Sequence, residues 1–122
     1  MGDSRQVGDE GETYAVLFLN HKGFEVIHRN WRAGKYEIDI VAQDRRSLVF
    51  VEVKSRYSNS VWVQPEDSVT LSKQQKLIYA AQKYLRQFPH HGPIRFDVIS
   101  VMTTHSCRQL YYHPDAFFPM GS

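Results

Sequence analysis

Two strand-like runs separated by four polar residues constrain this chain more than any other feature. Tyr36 to Gln43 and Leu48 to Ser55 are rich in β-branched and apolar residues, and Asp44-Arg45-Arg46-Ser47 joins them. So short a joint makes an antiparallel hairpin, because a parallel crossover needs about a dozen residues. Along the second run Val49, Val51 and Val53 share one face, while Leu48, Phe50, Glu52 and Lys54 share the other. Both faces are apolar over most of its length, which predicts a central strand covered on both sides. In the first run alternation sends Glu37, Asp39 and Val41 one way and Ile38, Ile40 and Ala42 the other.

The flanking segments supply the covering layers. A helical apolar period runs from Asp9 to about Lys22 through Glu12, Ala15, Val16 and Leu19, with Gly23 as its stop. A strand is predicted over Phe24 to Trp31, then a turn over Arg32 to Lys35. Tyr57 to Asp67 is a Ser- and Asn-containing loop. A second helix is predicted from Ser68 to about Gln87, with Leu77, Ala80, Ala81, Tyr84 and Leu85 as its apolar stripe. Gln75 and Tyr79 lie a turn apart near its start, Gln75 expected on the surface and Tyr79 in the core. Two last strands are expected over Ile94 to Met102 and Gln109 to His113. The order is that of an α/β layer protein with helices packed on a sheet. Residues 1–8 are expected to be a loose N-terminal segment, 9–118 a single domain, and 119–122 a tail.

With Arg45 and Arg46 as the turn, Asp39 falls opposite Glu52 and Glu37 opposite Lys54, with β-carbons roughly 5 Å apart. Two carboxylates that close repel unless a cation lies between them. An all-oxygen site of one or two carboxylates and waters suits magnesium. The same residues also fit a solvated salt-bridge patch worth about 0 to 1 kcal/mol. That alternative prefers an edge strand, whereas this strand is predicted to be central. Glu12 has two readings as well. Either it is a first-turn acid favoured by the helix dipole, or it is an inward-facing carboxylate that needs a partner.

Composition narrows the class. At 122 residues, 42% hydrophobic and 23% charged, the chain suits one globular domain. Its single cysteine, Cys107, leaves no internal disulfide and no four-cysteine zinc site, and fits a reducing compartment. No apolar run approaches the roughly 20 residues of a membrane span. The polar, acidic N-terminus is unlike a signal peptide, so a cytoplasmic location and no membrane partner are expected. A net charge of +2 permits a nucleic-acid partner without arguing for one. The six histidines show no metal-ligand spacing, and there is no Walker loop or nucleophile elbow. Trp31, Trp62 and the tyrosines are either core residues or platforms for base stacking.

An ordered set of short motifs runs through the chain. It comprises Gly11-Glu12 with Ala15, Gly23-Phe24, Arg29-Asn30, Glu37-Ile38-Asp39, Phe50-Val51-Glu52-Val53-Lys54-Ser55-Arg56, and Arg95-Phe96-Asp97-Val98-Ile99. Together with His113 and Ala116-Phe117, this set resembles the YraN family of small bacterial proteins described as predicted endonucleases. The resemblance implies a restriction-endonuclease-like fold, similar to archaeal Holliday-junction resolvases, with a central mixed sheet flanked by two main helices. It implies a metal-dependent endonuclease acting on DNA, with Asp39 as the acid of a split motif and Glu52-Val53-Lys54 as its Glu-x-Lys. Glu12 would complete the site. Mg²⁺ or Mn²⁺ would be held by Asp39, Glu52, the Val53 carbonyl and Glu12, with Glu37 and Gln75 auxiliary. Lys54 would orient the attacking water, and Arg29, Arg32, Lys35 and Arg56 would position the nucleic-acid backbone. Junction-cutting relatives act as dimers, which extends the expectation to a homodimer. Tyr36 stands where the family usually has Gly, and Val63-Gln64-Pro65 lacks a Gly usual before that Pro. The alternative is a non-catalytic module that binds nucleic acid or protein on the same fold.

Overall fold

A computed structural model of the chain describes residues 4–57 and 69–117. Trp62, Ser68, the tail over 119–122 and all but Tyr57 of the loop predicted over Tyr57–Asp67 lie outside those residues. The elements run α1 (Ser4–His21), β1 (Glu25–Ala33), β2 (Tyr36–Asp44), β3 (Ser47–Tyr57), α2 (Leu71–Gln87), β4 (Ile94–Thr103) and β5 (Arg108–His113). The strands form one sheet in the order β1-β2-β3-β4-β5. Among the described residues only β3 and β4 pair in parallel; the other neighbours are antiparallel. The central place of β3 agrees with its two apolar faces.

Among the described residues, each face of the sheet carries one helix. Ala15 and Leu19 of α1 pack with Ile40, Ala42, Val49, Val51, Ile99 and Val101. Leu77, Ala80, Ala81 and Tyr84 of α2 pack with Ile38, Val41, Leu48, Phe50, Phe96 and Val98. Tyr84 is the hub of the second layer: its ring meets Trp31, Phe50 and Phe88, and its hydroxyl lies 2.9 Å from His28 Nδ1. The first layer approaches closely at Gly11, where an added Cβ would fall 2.9 Å from the Cβ of Ser55. A glycine there lets the helix backbone rest on β3.

The helix limits differ from the sequence expectation at both starts. Helix α1 begins at Ser4, not Asp9, so residues 4–8 of the segment expected to be loose are helical. Apolar periodicity marks only the packed part of a helix, and extending a formed helix by a turn costs little. Glu12 consequently lies beyond the first turn of α1, which contains no acidic residue, and the dipole reading of Glu12 falls away. Helix α2 begins at Leu71, not Ser68, because Thr70 caps it by accepting from the Lys73 N–H at 3.2 Å. At the other end of α1, Gly23 adopts φ +94° as predicted for a stop, and Phe24 N–H reaches back to the Leu19 carbonyl at 2.9 Å.

Strict alternation along β2 fails at one place. Ile38 packs in the α2 layer and Ile40 in the α1 layer, although they were expected to share a face. Asp39 lies between them. Opposite it on β1, Asn30 is left-handed at φ 53°, between the pairs Arg29↔Ile40 and Trp31↔Ile38. The two strands break their pleat together, and the break turns Asp39 away from both layers.

Candidate functional site

The hairpin register is the one expected from an Arg45-Arg46 turn, with Asp44↔Ser47 and Val41↔Phe50 in the ladder. The ladder stops at Ile40↔Val51. Just past that point Asp39 Oδ2 accepts from the Val53 N–H at 2.8 Å. Backbone N–H groups of a strand lie in the plane of the sheet, so the Asp39 carboxyl lies there too, between β2 and β3. Neither expected pair, Asp39 with Glu52 or Glu37 with Lys54, is part of the ladder. Glu37 instead forms an ion pair with Arg32, its strand neighbour on β1, with Arg32 Nη2 at 3.1 Å.

Glu52 is next to Val53 and is buried. It shares a face with Leu48 and Phe50, which pack in the α2 layer, and there it accepts from Lys73 Nζ at 2.8 Å. Lys54 is half-buried two residues further along the same face. From the opposite layer Glu12, also buried, accepts from Arg29 Nε at 3.3 Å. The site is thus stacked through the sheet, with Glu12 on the α1 side, Asp39 in the plane, and Glu52 with Lys73 on the α2 side.

These carboxyls feel one another. Burial first, and then the Glu52 charge, push the Asp39 carboxyl up to about 8, with smaller contributions from Glu12 and Glu37. Its hydrogen bond from Val53 acts the other way without prevailing. Burial also raises Glu12, opposed by Arg29. Lys73 is raised chiefly by its hydrogen bond to Glu52, with Asp39 and Glu37 adding to it. Burial thus favours the protonated form of Asp39, and the repulsion among these carboxyls is what a cation between them would relieve.

The donor set fits a divalent cation held by two carboxylates. Among the described residues, no three Asp, Glu, His or Cys side chains are grouped as a ready metal cage. Magnesium does not require one, since it usually keeps several waters and takes one or two carboxylates. A cation at Asp39 and Glu52 would take the place of the Asp39 proton and of the Lys73 ammonium.

Lys73 is the site residue that sequence reasoning missed. It lies 21 positions from Glu52 in the chain, on a helix whose rotation is set only by packing. Its spacing ahead of Leu77 and Ala80, both buried, placed it on the sheet-facing side. Gln75 and Tyr79 are both exposed, so Tyr79 is not the core residue expected. Among the cations expected to meet nucleic acid, Arg29 and Arg32 are tied to Glu12 and Glu37. Lys35 lies 5.5 Å over the Tyr36 ring, and Arg56 is exposed at the end of β3.

A five-stranded mixed sheet with one helix on each face, and acids and lysines gathered where its central hairpin opens, is compatible with the restriction-endonuclease-like class of α/β fold. The chain belongs to the family described as "Uncharacterised protein family UPF0102", which matches residues 11–101 and is the YraN family of the motif resemblance. A UPF0102 protein of Bacteroides thetaiotaomicron is 40% identical over 119 residues, covering 98% of both chains. One from Lawsonia intracellularis is 40% identical over 115 residues, covering 93% of this chain and 86% of its own. One from Chlorobium phaeobacteroides is 46% identical over 97 residues, covering 79% and 76% respectively. No helix among the described residues is long and apolar enough to cross a membrane.

Proposed function

We propose that this chain is a metal-dependent endonuclease that hydrolyses phosphodiester bonds in DNA, with branched recombination or repair intermediates as its substrates. The observation that carries this reading is the Asp39 carboxyl, held by the Val53 N–H where the β2–β3 ladder ends, within the field of the Glu52 and Glu12 carboxyls. Mg²⁺ or Mn²⁺, when bound, supplies charge stabilisation at the phosphate and a more acidic water. Asp39 and Glu52 would hold it through their carboxylates, with the Val53 carbonyl as a further oxygen and Glu12 directly or through water. Lys54, on the face of Glu52, orients the attacking water and balances developing negative charge. Glu37 and Gln75 are auxiliary. Lys35 and Arg56, with the exposed parts of Arg29 and Arg32, position the phosphate backbone. A cytoplasmic homodimer, with two sites for two cuts, follows by analogy with junction-cutting nucleases.

Incubation with Mg²⁺ or Mn²⁺ and branched, flapped and linear DNA tests this. Cleavage by the wild type and its loss in both Lys54→Ala and Asp39→Asn are expected. A folded wild-type protein indistinguishable from buffer on every substrate would refute catalysis.

A second reading has its own support. Arg29 on Glu12 and Lys73 on Glu52 already neutralise two of the acids with the chain's own cations. That suits a non-catalytic module binding nucleic acid or protein. Such a module would show no change in thermal stability on Mn²⁺ titration, whereas a two-carboxylate metal site is stabilised by mass action.

A further inference from the structure

Helix α2 carries Lys73, Lys76, Lys83 and Arg86 and no acidic residue along its whole length. Its buried stripe leaves Lys76, Tyr79 and Lys83 on one flank, at i, i+3 and i+7. That flank borders the β1–β2 turn. There a groove of about 510 Å³ is lined by Ala33, Gly34, Lys35, Tyr36, Tyr79 and Lys83. Its volume lies within the roughly 300–1,000 Å³ typical of ligand pockets. The rings of Tyr36 and Tyr79 meet at 4.8 Å and 64°. Lys35 Nζ lies 5.5 Å from the Tyr36 centroid, and Lys83 Nζ lies 5.2 Å from that of Tyr79. Tyr79 is 43% exposed. Space over Gly34 is open to 4 Å, so one wall of the groove has no side chain.

We propose that this groove binds an unpaired nucleotide of a nucleic-acid strand that continues along α2 to the Glu52–Lys73 end of the helix. Two aromatic rings with an ammonium group over each, and no carboxylate among the described lining residues, match the two parts of a nucleotide. Lys35 and Lys83 now lie over these rings, and a base stacks on a ring as its lysine swings out to the phosphates on either side. A duplex keeps its bases stacked within the helix, so only a single-stranded stretch can present one here. The groove and the candidate site share two elements. Tyr36 precedes Glu37 and Asp39 on β2, and Lys83 follows Lys73 by ten residues of α2, about 15 Å along its axis. Lys76 lies between them. A strand laid on this track enters the site from the groove, which makes DNA with single-stranded extensions the preferred substrate class. This last step rests on the nuclease reading; occupancy of the groove does not.

Fluorescence anisotropy with EDTA present separates the two. The probes are a labelled single-stranded oligonucleotide, the blunt duplex of the same sequence, and that duplex with a single-stranded extension. The wild type is expected to bind both probes with single-stranded parts more tightly than the blunt duplex. Tyr79→Ala is expected to weaken those two about 5- to 100-fold, the loss of one stacked base, and to leave the blunt duplex within about twofold. Lys83→Gln is expected to lower the slope of log K against log salt by about one. Tyr79 is exposed and Lys83 lies outside the core clusters, so circular dichroism should show both variants folded. Equal wild-type affinity for all three probes, or a Tyr79→Ala loss shared by the blunt duplex, overturns the proposal. Strand binding that depends on Tyr79 in a protein that cuts nothing would sink the nuclease reading and keep this one. Cutting with unaltered binding by Tyr79→Ala would do the reverse.

Discussion

Replacing Asp39 by Asn tests whether the folded chain carries an energetic burden at this site until a cation arrives. The Asp39 carboxyl is pushed up to about 8 in the folded chain, against 3.8 for an unperturbed aspartate. Between those values the folded state holds a proton that the unfolded state has released. This contribution to stability is therefore fully present below 3.8, declines as pH rises, and is lost once pH passes about 8. Each pH step in that interval costs about 1.4 kcal/mol, which sets a ceiling of about 4 kcal/mol by pH 7. Glu52, Glu12 and Glu37 share the proton's field and water relaxes the charge, so about half of that ceiling, ~2 kcal/mol, is the expected gain on substitution. Asn keeps an oxygen for the Val53 N–H, so the hydrogen bond survives. Urea unfolding in EDTA from pH 5 to 8 is the assay. The wild type should lose stability steadily across that range, while Asp39→Asn loses much less, through the raised Glu12 that remains, and is the more stable protein at pH 7 and above. Saturating Mn²⁺ should reverse the order, adding about 2.7 kcal/mol to the wild type at a hundredfold excess over Kd and nothing to the variant. A variant that is less stable than wild type at pH 8 in EDTA, with the same pH slope, would refute this account of the site.

Three further outcomes are expected. Lys73→Met removes the chain's own cation from Glu52, so Mn²⁺ should bind about two- to fivefold more tightly by calorimetry; the effect is small because the Lys73 side chain is 63% exposed. Weaker Mn²⁺ binding would show that Lys73 supports the metal rather than competing with it. Asp97 is wholly buried and accepts from Arg95, from the Tyr112 hydroxyl at 2.6 Å and from the Asp115 N–H at 2.8 Å. Asp97→Ala should cost about 3–5 kcal/mol in urea unfolding, because it takes the acceptor from the Tyr112 hydroxyl and the Asp115 N–H and leaves Arg95 with Asp44 as its ion-pair partner, and a loss under 1 kcal/mol would contradict that role. Gly11→Ala should cost about 1–3 kcal/mol by forcing α1 off Ser55, and the Gly11→Ala/Ser55→Gly pair should recover most of it; failure to recover would place the strain elsewhere.

Sequence alone determined the hairpin, its register and the central place of β3. Those follow from local rules: a polar joint too short for a crossover, and apolar residues on both faces of one strand. The apolar stripes of both helices were legible for the same reason, as was the stop at Gly23. From these it followed that Asp39 and Glu52 lie near each other, although not that the ladder would end at Ile40↔Val51, with Asp39 in the sheet plane and Glu52 on the α2 face. What only the tertiary structure decided depends on meetings between distant segments. The paired breaks at Asn30 and Asp39 defeat simple alternation, so sequence put Ile38 and Ile40 in one layer when they pack in two. The same break turns Asp39 into the sheet plane, and no periodicity in β2 announces it. Lys73 reaches Glu52 because α2 is docked on the sheet at one particular rotation. Tyr79, expected in the core, is left beside Tyr36 by that rotation. A residue's local pattern states which side it prefers; which distant group waits there is settled when the layers close.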